Sequence, residues 1–543
     1  MIYVILCDII VKVGKFFRPD ANKGEIMKVA ITGTTGNVGE YFLWALNNQP
    51  EVAEEIKLLV RSKKRADKVV KRYPKIKKKI EYVFGGIENA DACKKLVDGV
   101  DIVFNLCAVI PPKADNDPQG TIACNVTGVK TLVAAIEALG DKQPALVHMS
   151  SVAVYGNRSG EHMYGRVGEP LVSGPFELYS ATKIAGEYAV LQSDIKKWAV
   201  VRQTAVLHYN LFNDNIKDGL MFHTPFNAPF EWATVKDSGT LLLNILKCHK
   251  DGTMPENFWK RVYNIGGGKG TRAYGYMTYD SGFSIIGGGF KSFFKPWYNA
   301  TRNFHGMFYS DSDELEDFFH FRSQTCDDFW KELASIHKIY KAGKIVPKGL
   351  INSIIIKPLL KDKNAPSKWL SGGDEARAVA YFGGMDKYEE LKKKDWKDIE
   401  LLTEIPEFVK QTAEENIAAY GYDIDKCDKD ITADDLKSVA EAHGGKILNA
   451  ENFDGDMYKK LDWETQDGER FSASAYTVLR AGHWENPLYH SYVWDFDRLS
   501  KKDKIFARIW YDSHEKNEDN VYSFDENFKA HVGKIKTSGT DIK

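Results

Sequence analysis

Tyr179 and Lys183 stand four residues apart in Tyr179-Ser180-Ala181-Thr182-Lys183, a helix-forming run that puts phenol and ammonium on one face. A lysine cation near a phenol lowers its pKa from about 10, so that a tyrosinate can accept the proton of an alcohol and a tyrosine can return it. Upstream, Ser150-Ser151-Val152-Ala153-Val154-Tyr155-Gly156 leaves a strand, where the hydroxyl of Ser151 can hold a substrate oxygen. Tyrosine and lysine at this spacing recur often by chance, and the serine gives the pair its weight.

A second group suits a pyrophosphate. Thr32-Gly33-Thr34-Thr35-Gly36-Asn37-Val38-Gly39 joins a strand to a helix that ends near Leu46. The missing side chains let the backbone approach a phosphate at the helix N-terminus. The next strand runs out through Leu59-Val60 into Arg61-Ser62-Lys63-Lys64-Arg65, where an NAD-specific site usually places an acidic residue on the ribose 2′-hydroxyl. Arginine at Arg61, followed by Ser62, suits a 2′-phosphate instead and favours NADP, with NAD as the alternative. The bland reading of the same run is a solvated basic helix start.

These residues need a scaffold. From Lys28 the chain alternates short β-branched runs with longer amphipathic stretches, the pattern of parallel strands joined by crossover helices. Strands are expected at 28–32, 56–60, 80–84, 101–106, 146–149 and 199–203, and continuous apolar strands require helices on both faces. The fold class is therefore α/β, a Rossmann-like doubly wound parallel sheet, with a substrate-binding extension and a mixed α+β C-terminal region. The expected divisions are an extension over 1–26, a dinucleotide-binding domain over 27–270, an aromatic and then helical region over 271–430, and a small module over 431–543. The module opens on a capped helix from Thr432 to His443.

Composition narrows the partners. Across 543 residues, 74 lysines and arginines nearly cancel 75 aspartates and glutamates, so no global field draws the chain to nucleic acid or an anionic membrane. A small-molecule substrate is expected. The seven cysteines are scattered, with no CxxC pair and no Cys/His cluster at metal-ligand spacing, so no metal is expected and free thiols in a reducing cytoplasm are. No run is long and apolar enough for a membrane span.

Glycine turn, serine, tyrosine and lysine, in this order, resemble the extended branch of the short-chain dehydrogenase/reductase superfamily, the epimerase/dehydratase type, over residues 28 to about 268. The resemblance implies that Gly33, Gly36 and Gly39 form the phosphate loop and that Asn105 and Ala108 belong to a strand-four signature under the adenosine. It implies a catalytic trio of Ser151, Tyr179 and Lys183, with Lys183 also reaching the nicotinamide ribose, and it allows a homodimer. Two departures stand out. Gly85-Gly86-Ile87 replaces the acidic residue many relatives carry after strand three, and Gln203-Thr204-Ala205-Val206-Leu207-His208 lacks the common glycine and proline ending.

Dehydratases of this branch carry an acidic pair where this chain has Val152 and Ala153, so dehydration is not expected. The expected reaction is NADP(H)-dependent hydride transfer between nicotinamide and a secondary alcohol or ketone. The aromatic run from Tyr274 to Tyr309 favours a bulky apolar substrate such as a sterol, steroid or lipid, as in hydroxysteroid dehydrogenases, unless those rings are simply core. A nucleotide-sugar epimerase, kept open by Arg302 and His305, is the alternative, and a non-catalytic NADP-binding scaffold is the third. Near the C-terminus, Gly444-Gly445-Lys446, Trp463, Gly468, Phe471 and Gly482-His483-Trp484 resemble the frame of a small zinc ribbon. Thr465 and Glu485 occupy its expected cysteine places, which implies a metal-free module used for packing.

Overall fold

A computed structural model describes residues 26–211, 218–484 and 493–523. Almost all of the expected N-terminal extension, together with Cys7 and Glu485, lies outside the described residues.

The central sheet has seven strands: β1 (Lys28–Thr32), β2 (Glu55–Val60), β3 (Ile80–Phe84), β4 (Ile102–Asn105), β5 (Ala145–Ser151), β6 (Trp198–Gln203) and β7 (Arg261–Ile265). Their spatial order is β7-β6-β5-β4-β1-β2-β3, and every pairing is parallel. This is the doubly wound Rossmann arrangement, with its switch of direction between β1 and β4. Each of the six expected strands falls within a residue or two of its place, because an unbroken apolar run has few other ways to be buried on both faces. In β5 and β6 every residue is buried.

Side chains alternate across β1. Val29 and Ile31 pack with Phe42 and Leu46 of α1 (Asn37–Asn48), whereas Ala30 joins Val103, Leu132 and Ile136 on the other face. That second core does not stop at the sheet. It continues into Leu436, Trp463, Tyr476 and Trp484, so the C-terminal segment is built against one face of the Rossmann layer. The helix over Ala433–Ala442 begins as expected, with Thr432 and Asp435 forming a reciprocal capping box. Trp463 lies on the hairpin Lys460–Glu464/Arg470–Ser474, and the Trp484 ring stacks on His443 at 4.5 Å. The Thr465 hydroxyl accepts the N–H groups of Asp467 and Glu469 and so holds the hairpin turn.

A buried ion network ties this segment to the helix that carries Tyr179. Arg202 on β6 donates to both carboxylate oxygens of Glu187, at 2.5 and 3.2 Å, to the Tyr155 hydroxyl and to the Ala481 carbonyl. His483 Nε2 lies 3.0 Å from Glu187, whose carboxyl is drawn down despite burial by Arg202 and His483. Arg202 and Glu187 have no exposed side-chain surface, so each charge depends on the other.

Candidate active site

A cavity of about 650 Å³ opens at the C-terminal ends of β1, β4, β5 and β6, the place where open α/β sheets hold ligands. One end is made by the glycine turn. Gly33 has φ +74°, and a Cβ there would lie 2.6 Å from the Leu106 carbonyl oxygen, so only glycine fits. At Gly36 a Cβ would meet nothing nearer than 3.4 Å, which leaves open space at the N-cap of α1 where its free N–H groups point. Gly33, Gly36, Asn37, Val38 and Gly39 all line the cavity, as does Ala108. A dinucleotide pyrophosphate fits this cradle, because its oxygens would occupy the space that side chains leave and would be met by the helix N-terminus.

Beneath the cradle lies a polar floor. Thr32 Oγ1 donates to Asn105 Oδ1 at 2.7 Å and accepts the N–H groups of Leu106 and Cys107. Asn105 Nδ2 lies 3.0 Å from His148 Nδ1, and burial pushes the His148 pKa down to about 3, so the ring is neutral and accepts this bond. Thr32 and Asn105 are buried and hold β1 to β4 without reaching the cavity wall. Thr35 and Arg61 are exposed and also stand off the lining; Ser62 caps the helix Lys63–Val70 through Arg65 N. The Cys107 thiol beyond β4 is held well above its usual range by its hydrogen bond with Cys124 and by burial, which the Arg61 guanidinium opposes only in part.

Tyr179 and Lys183 lie on α2 (Leu178–Leu191) and, with Ser151 at the end of β5, line the same cavity as the glycines. Phe176 leads into the helix with φ +61°, a left-handed conformation unusual for a phenylalanine. The electrostatics differ from expectation. The Tyr179 phenol is not lowered by Lys183; burial raises it, and the Ser151 hydroxyl opposes the rise. The lysine amine donates to the Met149 carbonyl at 2.6 Å, and burial lowers its own pKa to about 8. Desolvation overrides the attraction that sequence spacing implied.

Of the other end of the cavity the sequence singles out His305 alone as a candidate for the substrate side. Glu177 Oε1 meets His305 Nδ1 at 3.0 Å, and both side chains line the cavity close to Tyr179. His223 donates Nε2–H to the Asn364 carbonyl at 2.6 Å, and burial lowers its pKa to about 4. Arg377 pairs with Asp374 at 2.6 Å while its guanidinium lies over the rings of Phe176 and Trp369. Asp115 is pushed up to about 7, first by burial and then by Glu177. Gln203 also lines the cavity, and its amide nitrogen and oxygen are both buried without a hydrogen-bond partner.

The aromatic run expected to form an apolar pocket goes elsewhere. Phe290, Phe293 and Phe294 form a separate core with Phe222 and Phe226, and of the twelve rings in that run only Phe304 lines the cavity. Arg302, expected to keep a sugar site open, is committed to Glu518 and to backbone carbonyls. Among the described residues no cluster of His, Cys, Asp or Glu could hold a metal ion, and no helix is long and apolar enough to cross a membrane.

The fold and the cleft define a dinucleotide-binding Rossmann domain. In comparison with known proteins, residues 29–202 match the NAD dependent epimerase/dehydratase family. The chain is 29% identical over 173 residues to a 3β-hydroxysteroid dehydrogenase/Δ5→4-isomerase of Mycobacterium tuberculosis, covering 31% of this chain and 43% of that one. It is 33% identical over 120 residues to a dTDP-4-dehydrorhamnose reductase of Mycolicibacterium smegmatis, covering 22% and 34%. The chain thus spans less than half the length of these curated relatives. Among solved structures, a dTDP-glucose 4,6-dehydratase of Bacillus anthracis in complex with NAD superposes with a TM-score of 0.45 at 18% identity, over 58% of this chain and 97% of that one. A UDP-glucuronic acid 4-epimerase of Bacillus cereus gives 0.44 at 18% identity, over 58% and 100%. The family match ends at residue 202 and so does not reach the zinc-ribbon resemblance near the C-terminus.

Proposed function

We propose that the cleft binds NADP(H), with NAD(H) as the alternative, and interconverts a secondary alcohol and a ketone. The observation that carries this reading is one continuous cavity running from the glycine turn to Ser151, Tyr179 and Lys183. A bound nicotinamide would supply the hydride acceptor or donor. Tyr179 Oη takes the alcohol proton or returns it to the ketone oxygen, and Ser151 Oγ holds that oxygen in place. Lys183, buried and anchored on Met149 O, carries a positive charge into the cleft below its lowered pKa of about 8. Arg61, beyond β2, is the residue that would meet a 2′-phosphate.

The polar walls bear on the substrate. Glu177, His305, Asp115 and the unpartnered Gln203 amide suit a molecule that presents several hydroxyl or carbonyl groups. This favours a second reading, epimerisation of a sugar derivative, which begins with the same hydride transfer. The sterol or lipid reading loses its aromatic pocket but keeps the likeness to the mycobacterial hydroxysteroid dehydrogenase. Absorbance at the nicotinamide band, followed with NADP⁺ and NAD⁺ against sugar-nucleotide, polyol and hydroxysteroid panels, tests these readings. Stoichiometric reduction by one class supports oxidoreduction; interconversion without net reduction supports epimerisation. Absence of both with every panel would overturn the proposal.

A further inference from the structure

Cys107 and Cys124 are 17 positions apart in sequence, yet their sulfurs are 3.4 Å apart, and no disulfide joins them. The contact is held from both sides. Cys124 lies in a π-helical turn, Ala123–Thr127, at the head of the helix Gly128–Glu137. In the same turn Asn125 clamps the chain just beyond Cys107, accepting Val109 N–H at 2.8 Å and donating to Val109 O at 3.0 Å. Asn125 also donates to Thr182 on α2, so the turn is fixed against the helix of Tyr179 and Lys183. Two thiols kept adjacent by other bonds need little chain entropy to join.

The surroundings suit thiol chemistry. Cys107 is partly exposed and Cys124 is buried. The two thiols share one hydrogen bond in which either sulfur can donate; that bond and burial hold Cys107 well above the usual thiol range, the bond draws Cys124 down against burial, and Arg61 and Lys183 add positive potential at both. The place of Cys107 gives the pair a lever. Its N–H donates to Thr32 Oγ1, and the Leu106–Cys107 peptide is the surface on which Gly33 rests, within 2.8 Å of where a Gly33 Cβ would be. A disulfide requires sulfurs about 2.05 Å apart, so closing the bond moves one or both cysteines, and the Cys107 backbone is the part that touches the phosphate turn.

We propose that Cys107 and Cys124 form a reversible dithiol/disulfide modification site that weakens nucleotide binding when oxidised by a hydroperoxide or a small disulfide. With a hydroperoxide, two S–H bonds and the O–O bond break and one S–S bond forms; the two electrons and two protons leave the thiols, and water and an alcohol are released. With a small disulfide, the electron pair and protons leave as two small thiols. The coupling to nucleotide rests on the cofactor reading above, whereas the crosslink does not.

The full-length protein is reduced with dithiothreitol, freed of it, then treated with hydrogen peroxide or oxidised glutathione and freed of reagent. Peptide mass mapping reads the crosslink, and titration with NADP⁺ reads affinity before oxidation, after it, and after re-reduction. The expected result is a Cys107–Cys124 crosslinked peptide and an affinity lower by about tenfold, restored by dithiothreitol. Cys124→Ser and Cys107→Ser, each read separately, should keep the reduced affinity and lose the response. No crosslink between these two residues, or a crosslinked protein that binds NADP⁺ as tightly as the reduced one, overturns the proposal. An equal loss of affinity in Cys124→Ser overturns it too. A reduced protein that binds neither NADP⁺ nor NAD⁺ would defeat the cofactor reading and the coupling together, while leaving the crosslink measured.

Discussion

The two ends of the cleft are made of different material. At the nucleotide end, backbone does the shaping: Gly33, Gly36 and Gly39 matter for the side chains they lack, and the helix N-terminus supplies the polar groups. At the substrate end, side chains from distant segments do it, with Glu177, His223, Gln203, His305 and Arg377 arriving from five stretches of chain. A backbone-built site leaves a contiguous trace in sequence, because the turn, the strand before it and the helix after it are consecutive. A side-chain-built site leaves none until the fold brings its parts together. The helix of Tyr179 and Lys183 joins the two ends, and the Arg202–Glu187–His483 network holds that helix to the C-terminal segment.

Breaking the joint should have the largest effect. Glu187→Ala strands the buried Arg202 charge and should cost about 3–5 kcal/mol of stability in denaturant unfolding. A change below about 1 kcal/mol would mean the network is not what couples the segments.

Next in size is a test of the backbone-built end. Gly36 has φ −92°, which any residue adopts, and the space beside it is open, so Gly36→Val should fold normally. The added side chain fills the pyrophosphate seat, and NADP⁺ affinity should fall by about a hundredfold, or about 2.7 kcal/mol, in a binding titration. Retained affinity would show that the phosphate sits elsewhere.

The side-chain-built end should behave in the opposite way. Gln203→Leu removes an unpartnered buried amide at nearly constant volume, so thermal stability should hold or rise. Its kcat/KM for the identified substrate should fall by about tenfold, the worth of one or two hydrogen bonds. Lost stability with unchanged kinetics would make Gln203 a structural residue.

A test by pH concerns Asp115. Its pKa, raised to about 7 in the fold from 3.8, means the native state binds the proton more tightly between those values. Native stability therefore falls as pH rises through that window, and Asp115→Asn should melt like the wild type near pH 4 but higher near pH 8. Equal melting at both pH values would remove Asp115 from the buried cluster.

Legibility followed the same division. Six strands, the glycine turn, the tyrosine helix and the capping box at Thr432 could be read because each depends on neighbours in sequence. The pKa of Tyr179 could not be read, since helical spacing places Lys183 near it but says nothing of the burial that dominates both groups. The aromatic run was equally mute: its rings are apolar whether they face a ligand or one another, and here most face one another, as Phe283 and Phe293 do at 4.7 Å. The contact between Cys107 and Cys124 was hidden because the connection from β4 to the helix Gly128–Glu137 had to fold back on itself before it existed.

The most direct test is Tyr179→Phe, measured by NADP⁺ titration and by nicotinamide absorbance with the identified substrate. The account predicts unchanged nucleotide affinity and turnover reduced by at least about a hundredfold. A variant that turns over at the wild-type rate would contradict it.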